Sequence, residues 1–237
     1  MILTCEHGGN EIPREFEHAF KGARGVLNTH RGLDIGALDL ARRISKNLGT
    51  PLTYSCTSRL LVDLNRSLES ETLFSEFSKP VLMAKRERIL ARYYRPYRKK
   101  VEARVAKERG FKLHLSVHSF TPVLQGKRRE CEIGILFDPA RKSERTFAMS
   151  LRKRLAVVLP AMRVRFNYPY KGTGDGFTAS LRERYPDERY AGIELEIRQD
   201  LLKKMSTRRT IDSFAGVLSI SLGGAAQELE ESPRLRT

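Results

Sequence analysis

Apolar residues recur along the chain with two different periods, which predict strands interleaved with helices. The first strand is expected between Met1 and Cys5, and further runs of strand character cover residues 52–56, 60–64, 113–118, 131–137, 161–166 and 190–197. Apolar positions three or four residues apart predict helices over residues 32–48, 83–109, 143–157, 178–184 and 206–222. Strands that alternate with helices indicate an α/β protein with a mixed, mostly parallel sheet and helices on both faces.

Glycine and proline mark the ends of these elements. Gly49 and Pro51 end the first predicted helix, and Pro96 is expected to kink or split the second. No internal repeat or long low-complexity linker divides the chain, so we expect a single α/β domain over residues 1–226. Residues 227–237 are predicted to form a loose C-terminal tail.

The chain is strongly basic, with 44 Lys and Arg residues against 28 Asp and Glu residues and a net charge of +16. A field of this sign attracts anions, so nucleic acid, an anionic membrane and small acidic substrates are all admissible partners. Eleven of the basic residues lie between positions 85 and 109, interleaved with Tyr93, Tyr94 and Tyr97. Basic helices with aromatic residues bind phosphate backbones in some proteins. A solvated helix face with its tyrosines packed inward is the favoured interpretation here.

The cysteines and the N-terminus favour a location inside the cell. Cys5, Cys56 and Cys131 are odd in number and lack C-x-x-C spacing, which indicates a reduced protein rather than a disulfide or structural zinc scaffold. The N-terminus becomes charged too early for a signal peptide, and no run approaches the ~18 apolar residues that span a bilayer. We therefore expect a cytoplasmic protein with no membrane partner.

Two histidines lie beside strand ends, where the sites of α/β proteins are found. His7 follows the first predicted strand, and His118 ends the strand in the stretch LHLSVHSF. Two neutral imidazoles and a carboxylate can hold Zn²⁺ and leave a position for water, and bound zinc lowers the pKa of that water to about 7. His7 and His118 are therefore candidate metal ligands, whereas His114, deeper in the strand, is interpreted as structural.

Polar groups on two other predicted strands complete a candidate site. Glu196 lies on the last strand and is a candidate to carry a proton from water to a leaving amine. Asn65 and Arg66 leave the strand predicted over 60–64 together, and an arginine can bind a carboxylate through two hydrogen bonds. A surface turn with an ordinary salt bridge is the alternative interpretation of that pair.

Seven segments, in this order, resemble the N-formylglutamate amidohydrolase family, which is related in fold to the zinc carboxypeptidases and to aspartoacylase. They are TCEHGGNEIP (4–13), HRGLDIGALDLA (30–41), SRLLVDLNRS (58–67), SVHSFTPVLQGKRR (116–129), IGILFDP (133–139), NYPYKGTGDG (167–176) and GIELEIRQDL (192–201). The DLNR motif is similar to the substrate-carboxylate motif of aspartoacylase. Glu196 in its ELEIR context resembles the catalytic glutamate of the carboxypeptidases.

The resemblance implies a zinc carboxypeptidase-like fold (phosphorylase/hydrolase-like) with one Zn²⁺ ion. His7 and His118 would be ligands, and Asp34 is the carboxylate that we favour as the third. The carboxypeptidase pattern is His-x-x-Glu, and this chain has Asn10 at that spacing and Glu11 one position later. Glu11 and Asn10 therefore stay open as alternatives.

The resemblance also implies roles for residues around the metal. Glu196 would act as general base and then as general acid. Asn65 and Arg66 would bind the carboxylate of the substrate, and Arg59 would help to bind it or to stabilise the oxyanion. The entrance of the pocket would be lined by Lys171 and Thr178.

The function expected from the resemblance is a zinc-dependent amidohydrolase that removes a formyl or other small acyl group from an acidic N-acyl amino acid. A peptide or cell-wall amidase, or a carboxypeptidase, of the same fold is the main alternative. A basic nucleic-acid-binding protein and an inactive homologue with an incomplete metal site are less favoured.

Overall fold

The computed structural model describes residues 1–107, 110–205 and 207–231. The strands are β1 (Ile2–Cys5), β2 (Leu52–Tyr54), β3 (Lys112–Phe120), β4 (Val123–Leu124), β5 (Lys127–Arg128), β6 (Ile133–Leu136), β7 (Val164–Phe166) and β8 (Tyr190–Arg198). Six of them form one sheet in the order β2-β1-β3-β8-β6-β7, and β4 and β5 form a separate hairpin. Within the large sheet β6 runs antiparallel to β8, and the other neighbours are parallel. The prediction of a mixed, mostly parallel sheet is confirmed.

Helices cover both faces of this sheet. They are α1 (Arg24–Leu27), α2 (Ala37–Leu48), α3 (Leu82–Ile89), α4 (Arg95–Ala106), α5 (Lys142–Val158), α6 (Phe177–Arg182), α7 (Gln199–Lys204) and α8 (Arg208–Glu231). The layer of α2, α5 and α8 packs on one face around residues such as Leu40 and Phe147. On the other face α4 and α6 pack with the 3₁₀ segment Arg14–Phe20 around residues such as Val101.

Strand β3 is buried along its whole length, and the alternation of its side chains separates two environments. One set joins the hydrophobic core on the side of α2, α5 and α8: Leu113, Leu115 and Val117. The other set is polar and faces the side of α4 and α6: His114, Ser116 and His118. The polar set continues across the sheet to Thr4 and Glu196, which pair in register with Ser116 and His118. The polar side chains that could take part in a reaction therefore lie on one face of the sheet, near the carboxyl end of the parallel strands.

The strand predicted over 60–64 is wrong. The backbone turns there instead, because the Leu61 amide donates to the carbonyl of Ser58 and the Asp63 amide donates to the carbonyl of Leu73. The apolar side chains that suggested a strand are buried in the second core as parts of an irregular loop. Burial on a folded loop can imitate the pattern of a strand when the loop is as short as this one.

The basic segment is helical and is interrupted before its proline, as predicted. Helix α3 leads into a π-helical turn (Leu90–Tyr94), and α4 begins at Arg95 with Pro96 in its first turn. Pro96 therefore lies just after the π-helical turn. Tyr94 and Tyr97 are buried, which agrees with the inward-packing interpretation of this segment. Positions 108 and 109, which the prediction included, lie outside the described residues.

Two helix boundaries depart most from the prediction. The helix predicted from residue 32 begins at Ala37, because Gly36 before it has φ +81° and a side chain there would meet Leu202. The final helix continues to Glu231, so residues 227–231 of the predicted tail are helical, and residues 232–237 lie outside the described part of the chain. The short helix α7 and the β4–β5 hairpin were not predicted, because elements of this length show no clear period. Among the described residues, no helix has both the length and the apolar character needed to cross a membrane.

Candidate active site

His7, Asp34 and His118 meet at the carboxyl end of the parallel strands. His7 follows β1, His118 lies near the end of β3, and the turn before α2 brings in Asp34, whose amide donates to the His7 carbonyl at 2.9 Å. Asp34 Oδ2 lies 2.7 Å from His118 Nδ1 and 3.4 Å from His7 Nδ1. One ligand atom of each residue lies within 4.8 Å of the others, and all three side chains are buried. This group could hold a metal ion.

Each histidine has a second partner at the far side of its ring. His7 Nε2 lies 2.7 Å from Asp63 Oδ1, and His118 Nε2 lies 3.3 Å from Glu6 Oε2 and 2.8 Å from Ser116 Oγ. Because a carboxylate only accepts hydrogen bonds, Nε2 of each ring carries a hydrogen, and Nδ1, the atom nearer Asp34, is the one that could bind a metal in place of a proton. The Ser116 hydroxyl donates to Glu6, so it accepts from His118 and supports the orientation of that ring.

The charges around the imidazoles favour a cation between them. Burial acts to lower the pKa of His118, but its hydrogen bonds to Asp34 and Glu6 outweigh burial and raise that pKa well above its usual value. Burial and Arg59 oppose ionisation of His7, yet Asp63 and Asp34 raise its pKa as well. The carboxylates that stabilise a proton on either ring would stabilise a bound metal ion in the same way. Two imidazole nitrogens and one carboxylate oxygen also form a donor set that suits Zn²⁺.

The two alternative ligands lie elsewhere. Glu11 is exposed, and its backbone amide donates to the carbonyl of Cys56 at the edge of the sheet. Asn10 donates from its side chain to Asn28 at 2.7 Å. Among the described residues, Asp34 is therefore the carboxylate that the fold brings to both histidines.

Glu196 lies beside the His7–Asp34–His118 group. It pairs with His118 across β8 and β3, it is 5% exposed, and its Oε2 atom is buried without a hydrogen-bond partner in the described part of the chain. Burial raises the pKa of Glu196 to about 8, with His118 opposing the shift and Asp34 and Glu194 adding to it. A carboxyl group that titrates near neutral pH and has a free oxygen can both accept and donate a proton.

These side chains line one cavity of about 450 Å³. The residues predicted from the sequence that line it are His7, Asp34, Arg59, Asn65, Arg66, His118, Lys171 and Glu196. Thr178 does not line it, because its buried hydroxyl donates to Glu194 at 2.8 Å behind the wall. Two lining residues that the sequence did not single out are His30 and Tyr170. A larger open cavity of about 950 Å³ adjoins this one and shares Gly174 and Asp175 with it.

Arg59 donates hydrogen bonds to two carboxylates of the site, those of Asp34 and Asp63. Its guanidinium donates to Asp63 Oδ2 at 3.1 and 2.7 Å and to Asp34 Oδ1 at 3.4 Å. Burial alone would lower the pKa of Arg59, but Asp63 and Asp34 raise it. Arg59 therefore holds these two carboxylates in place. Asp63 and Glu6 lie in the motifs DLNR and TCEHGGNEIP, but neither motif indicated their roles, because those roles depend on contacts between distant segments.

The turn with Asn65 and Arg66 is held from three sides. Asp63 accepts the Asn65 amide at 2.9 Å, and Asn65 Oδ1 accepts the Phe177 amide at 2.7 Å. The Asn65 side chain thus keeps its NH₂ end for the cavity that it lines. Arg66 donates to the main-chain carbonyls of Asn65 and Asp175 and has no carboxylate within ion-pair distance among the described residues. Its charge is available to an anionic ligand.

His114 has the structural role that the sequence suggested. Its Nε2 lies 2.8 Å from Thr4 Oγ1, and its Nδ1 lies 2.7 Å from the Tyr190 hydroxyl. Burial lowers the pKa of His114 to about 4, so the ring is neutral at physiological pH. Both ring nitrogens are occupied by neutral hydroxyl groups, which leaves no lone pair for a metal.

Comparison with known proteins places the chain among the hydrolases that act on amides. A family model described as N-formylglutamate amidohydrolase matches residues 1–203. The chain belongs to the N-formylglutamate amidohydrolase family. No curated protein sequence matches it.

Three solved structures align with nearly the whole chain. A gene product of Agrobacterium tumefaciens is 30% identical with a TM-score of 0.79, over 97% of this chain and 91% of that one. An N-acetylmuramoyl-L-alanine amidase of Nostoc punctiforme is 12% identical with a TM-score of 0.44, over 96% and 97%. The CwlD amidase from Clostridioides difficile, solved with the GerS lipoprotein, is 10% identical with a TM-score of 0.48, over 96% and 98%.

Proposed function

We propose that the protein is a zinc-dependent amidohydrolase that removes a formyl or other small acyl group from an acidic N-acyl amino acid. The observation that carries this proposal is the arrangement of one cavity. The buried His7–Asp34–His118 group, the unpartnered carboxyl oxygen of Glu196 and the Asn65–Arg66 turn all line it. The unpaired cysteines, all reduced, fit a cytoplasmic enzyme.

His7, Asp34 and His118 would hold the zinc ion, with Asp63 and Glu6 fixing the two rings. Zinc supplies a Lewis acid that polarises the acyl carbonyl and makes water a stronger acid. The ring orientations support this assignment, because both Nδ1 atoms already face the Asp34 carboxylate.

Glu196 would carry the proton through the reaction. Its free oxygen accepts a proton from the attacking water and returns it to the nitrogen of the leaving amine, so that the C–N bond breaks without release of an unstable amide anion. A bound cation would favour the carboxylate form of Glu196, and its burial favours the protonated form. These opposing influences keep its pKa within reach of neutral pH.

Arg66 and Asn65 would bind the carboxylate of the amino-acid half. An arginine with no carboxylate of its own can form two hydrogen bonds to a substrate carboxylate. Lys171 adds positive charge at the same cavity, and Arg59, which also lines it, would help to stabilise negative charge on the acyl oxygen. Thr178 would act from behind the wall, by orienting Glu194.

The proposal is tested by metal analysis of the purified protein together with release of formate from N-formyl-glutamate. One zinc ion per chain and turnover of N-formyl-glutamate, faster than turnover of N-formyl-leucine, would support it. N-formyl-leucine is the matched control because it lacks the second carboxylate. A protein that takes up no metal after reconstitution would contradict the proposal.

A peptide or cell-wall amidase of the same fold is a second candidate. The 950 Å³ cavity beside the site favours it, because a substrate longer than an N-acyl amino acid would extend past Gly174 and Asp175. Faster hydrolysis of an N-acyl peptide than of N-formyl-glutamate would select this candidate.

A further inference from the structure

The basic segment formed by α3, the π-helical turn and α4 contributes a buried charge close to the site. Arg98 lies one turn into α4 and is 6% exposed. Its Nη1 atom donates to the carbonyl of Arg66 at 3.0 Å and to that of Leu64 at 3.4 Å, and its Nη2 atom donates to Ser180 Oγ. Arg98 therefore joins α4 both to the Asn65–Arg66 turn and to α6.

The charge of Arg98 has no acidic partner. No carboxylate of the described residues lies within ion-pair distance, and burial lowers the pKa of the guanidinium. The group stacks on the rings of Phe177 at 4.1 Å and Tyr94 at 5.1 Å. Burial of an unpaired charge costs free energy, which main-chain carbonyls and aromatic faces offset only in part. An apolar residue could fill the same space without this loss of free energy, so packing alone does not account for an arginine at this position.

The Arg66 carbonyl is the point on which these contacts converge. It accepts one hydrogen bond from Arg98 and another, of 2.6 Å, from the Tyr94 hydroxyl. Tyr94 is the last residue of the π-helical turn, which sets its position relative to Arg98. The side chain of Arg66, on the same residue, lines the active-site cavity. Two donors from one helix thus fix the backbone from which Arg66 extends.

We propose that Arg98 is a positioning residue for substrate binding, which holds the Arg66 carbonyl so that the Arg66 guanidinium meets the substrate carboxylate in one orientation. This inference rests on the proposed function, and it gives the basic segment a role inside the enzyme. Arg98 acts through Arg66 and not on the scissile amide, so it governs KM more than kcat. A displaced binding group weakens recognition even when all its atoms are present.

The central experiment is Arg98→Lys, which keeps the charge but replaces the planar fork with a single point donor. We expect KM for N-formyl-glutamate to rise roughly tenfold, with kcat and zinc content unchanged. The matched control is Arg92→Lys on the same segment, where the arginine is exposed and pairs with Glu15 at 2.9 Å. That control should leave KM and kcat as in the wild type.

A double-mutant cycle with Arg66→Ala identifies the path of the effect. If Arg98 acts through Arg66, Arg98→Lys raises KM in the wild type and adds almost nothing in the Arg66→Ala background. Full additivity would overturn the proposal. So would a lower melting temperature with unchanged KM, which is the result expected of a merely structural arginine.

Hydrogen exchange separates failure of this proposal from failure of the proposed function. If the wild type hydrolyses no N-acyl amino acid, the proposed function is wrong, but the contact between Arg98 and the turn is still measurable. Amide exchange in a peptide spanning residues 62–68 should be faster in Arg98→Lys than in the wild type or Arg92→Lys. Equal exchange in all three proteins would overturn the positioning role.

Discussion

His118 on β3 and Glu196 on β8 occupy paired positions of neighbouring parallel strands, and both side chains reach the same cavity. One presents a ring nitrogen toward Asp34, and the other presents a carboxyl oxygen that no protein group satisfies among the described residues. The sheet itself therefore sets the separation of the proposed metal ligand and the proposed proton carrier. Neither group depends on a mobile loop for its placement.

Glu196→Gln should abolish turnover while the metal stays bound. The substitution keeps the shape of the side chain but removes its ability to take up a proton, which is worth about 10²- to 10⁴-fold in rate. Turnover and zinc content would be measured on the same preparation. Glu194→Gln, on the same strand face, is the control and should retain far more activity. Loss of zinc from Glu196→Gln would assign Glu196 to the metal rather than to proton transfer.

His118→Ala and Asp34→Asn should each lose the metal. Both remove a donor from the group in which all ligand atoms lie within 4.8 Å of one another. Metal content by mass spectrometry checks the prediction, with Glu11→Gln as the control because that carboxylate is the exposed alternative. Zinc that persists in Asp34→Asn and disappears in Glu11→Gln would show that the ligand assignment is wrong.

Glu6→Gln should weaken zinc binding by about 10- to 100-fold without removing a ligand. Glu6 is buried beneath His118, and burial would raise its pKa, yet the hydrogen bond and charge of His118 hold that pKa well below its usual value. The neutral amide removes this charge from the ring. Competition with a chelator measures the affinity. Tyr97→Phe, which removes the 2.9 Å hydrogen bond to Glu6 Oε1 and a longer one of 3.3 Å to the Thr53 carbonyl but leaves the Glu6 charge in place, should have a smaller effect.

Lowering the pH should destabilise the protein through His114. Its pKa is about 4 in the folded state against 6.5 for the free side chain, so the unfolded chain binds a proton that the folded chain cannot. Stability contributed by the neutral ring is present above pH 6.5 and is lost as the pH falls toward 4, by about 2 kcal/mol at pH 5. Denaturant unfolding at pH 7 and pH 5 with a chelator present measures this loss. His114→Gln should show a smaller difference between the two pH values, and an equal difference would contradict the assignment.

The sequence predicted the histidines more reliably than the groups that support them. His7 and His118 lie beside strands whose apolar pattern is clear, and parallel strands bring their carboxyl ends together. Asp63 and Glu6 become partners of these rings only through contacts between segments 56 and 112 residues apart. Such contacts depend on tertiary packing, which periodicity does not report.

The error over residues 60–64 has the same origin. Leu60, Leu61 and Leu64 are buried because the turn with Asp63 folds under the cavity, and burial produces apolar positions whatever the backbone does. The resemblance singled out the DLNR motif, and its Asn65 and Arg66 line the cavity, but the strand predicted to lead into it is a loop. Short buried loops near a site are closely packed but have irregular hydrogen bonding. Their apolar positions follow neither the two-residue period of a strand nor the 3.6-residue period of a helix.

The alternation along β3 makes the proposed metal site a test of correct strand pairing. A shift of that strand by one residue would turn the His118 side chain into the hydrophobic core under α2, α5 and α8. The same shift would present the Val117 side chain to Asp34. Such a chain would keep its composition and much of its helix, yet it would have no place for a metal ion. Uptake of zinc would therefore distinguish natively registered molecules from compact misfolded ones, and the enzyme would carry a built-in reporter of its own folding.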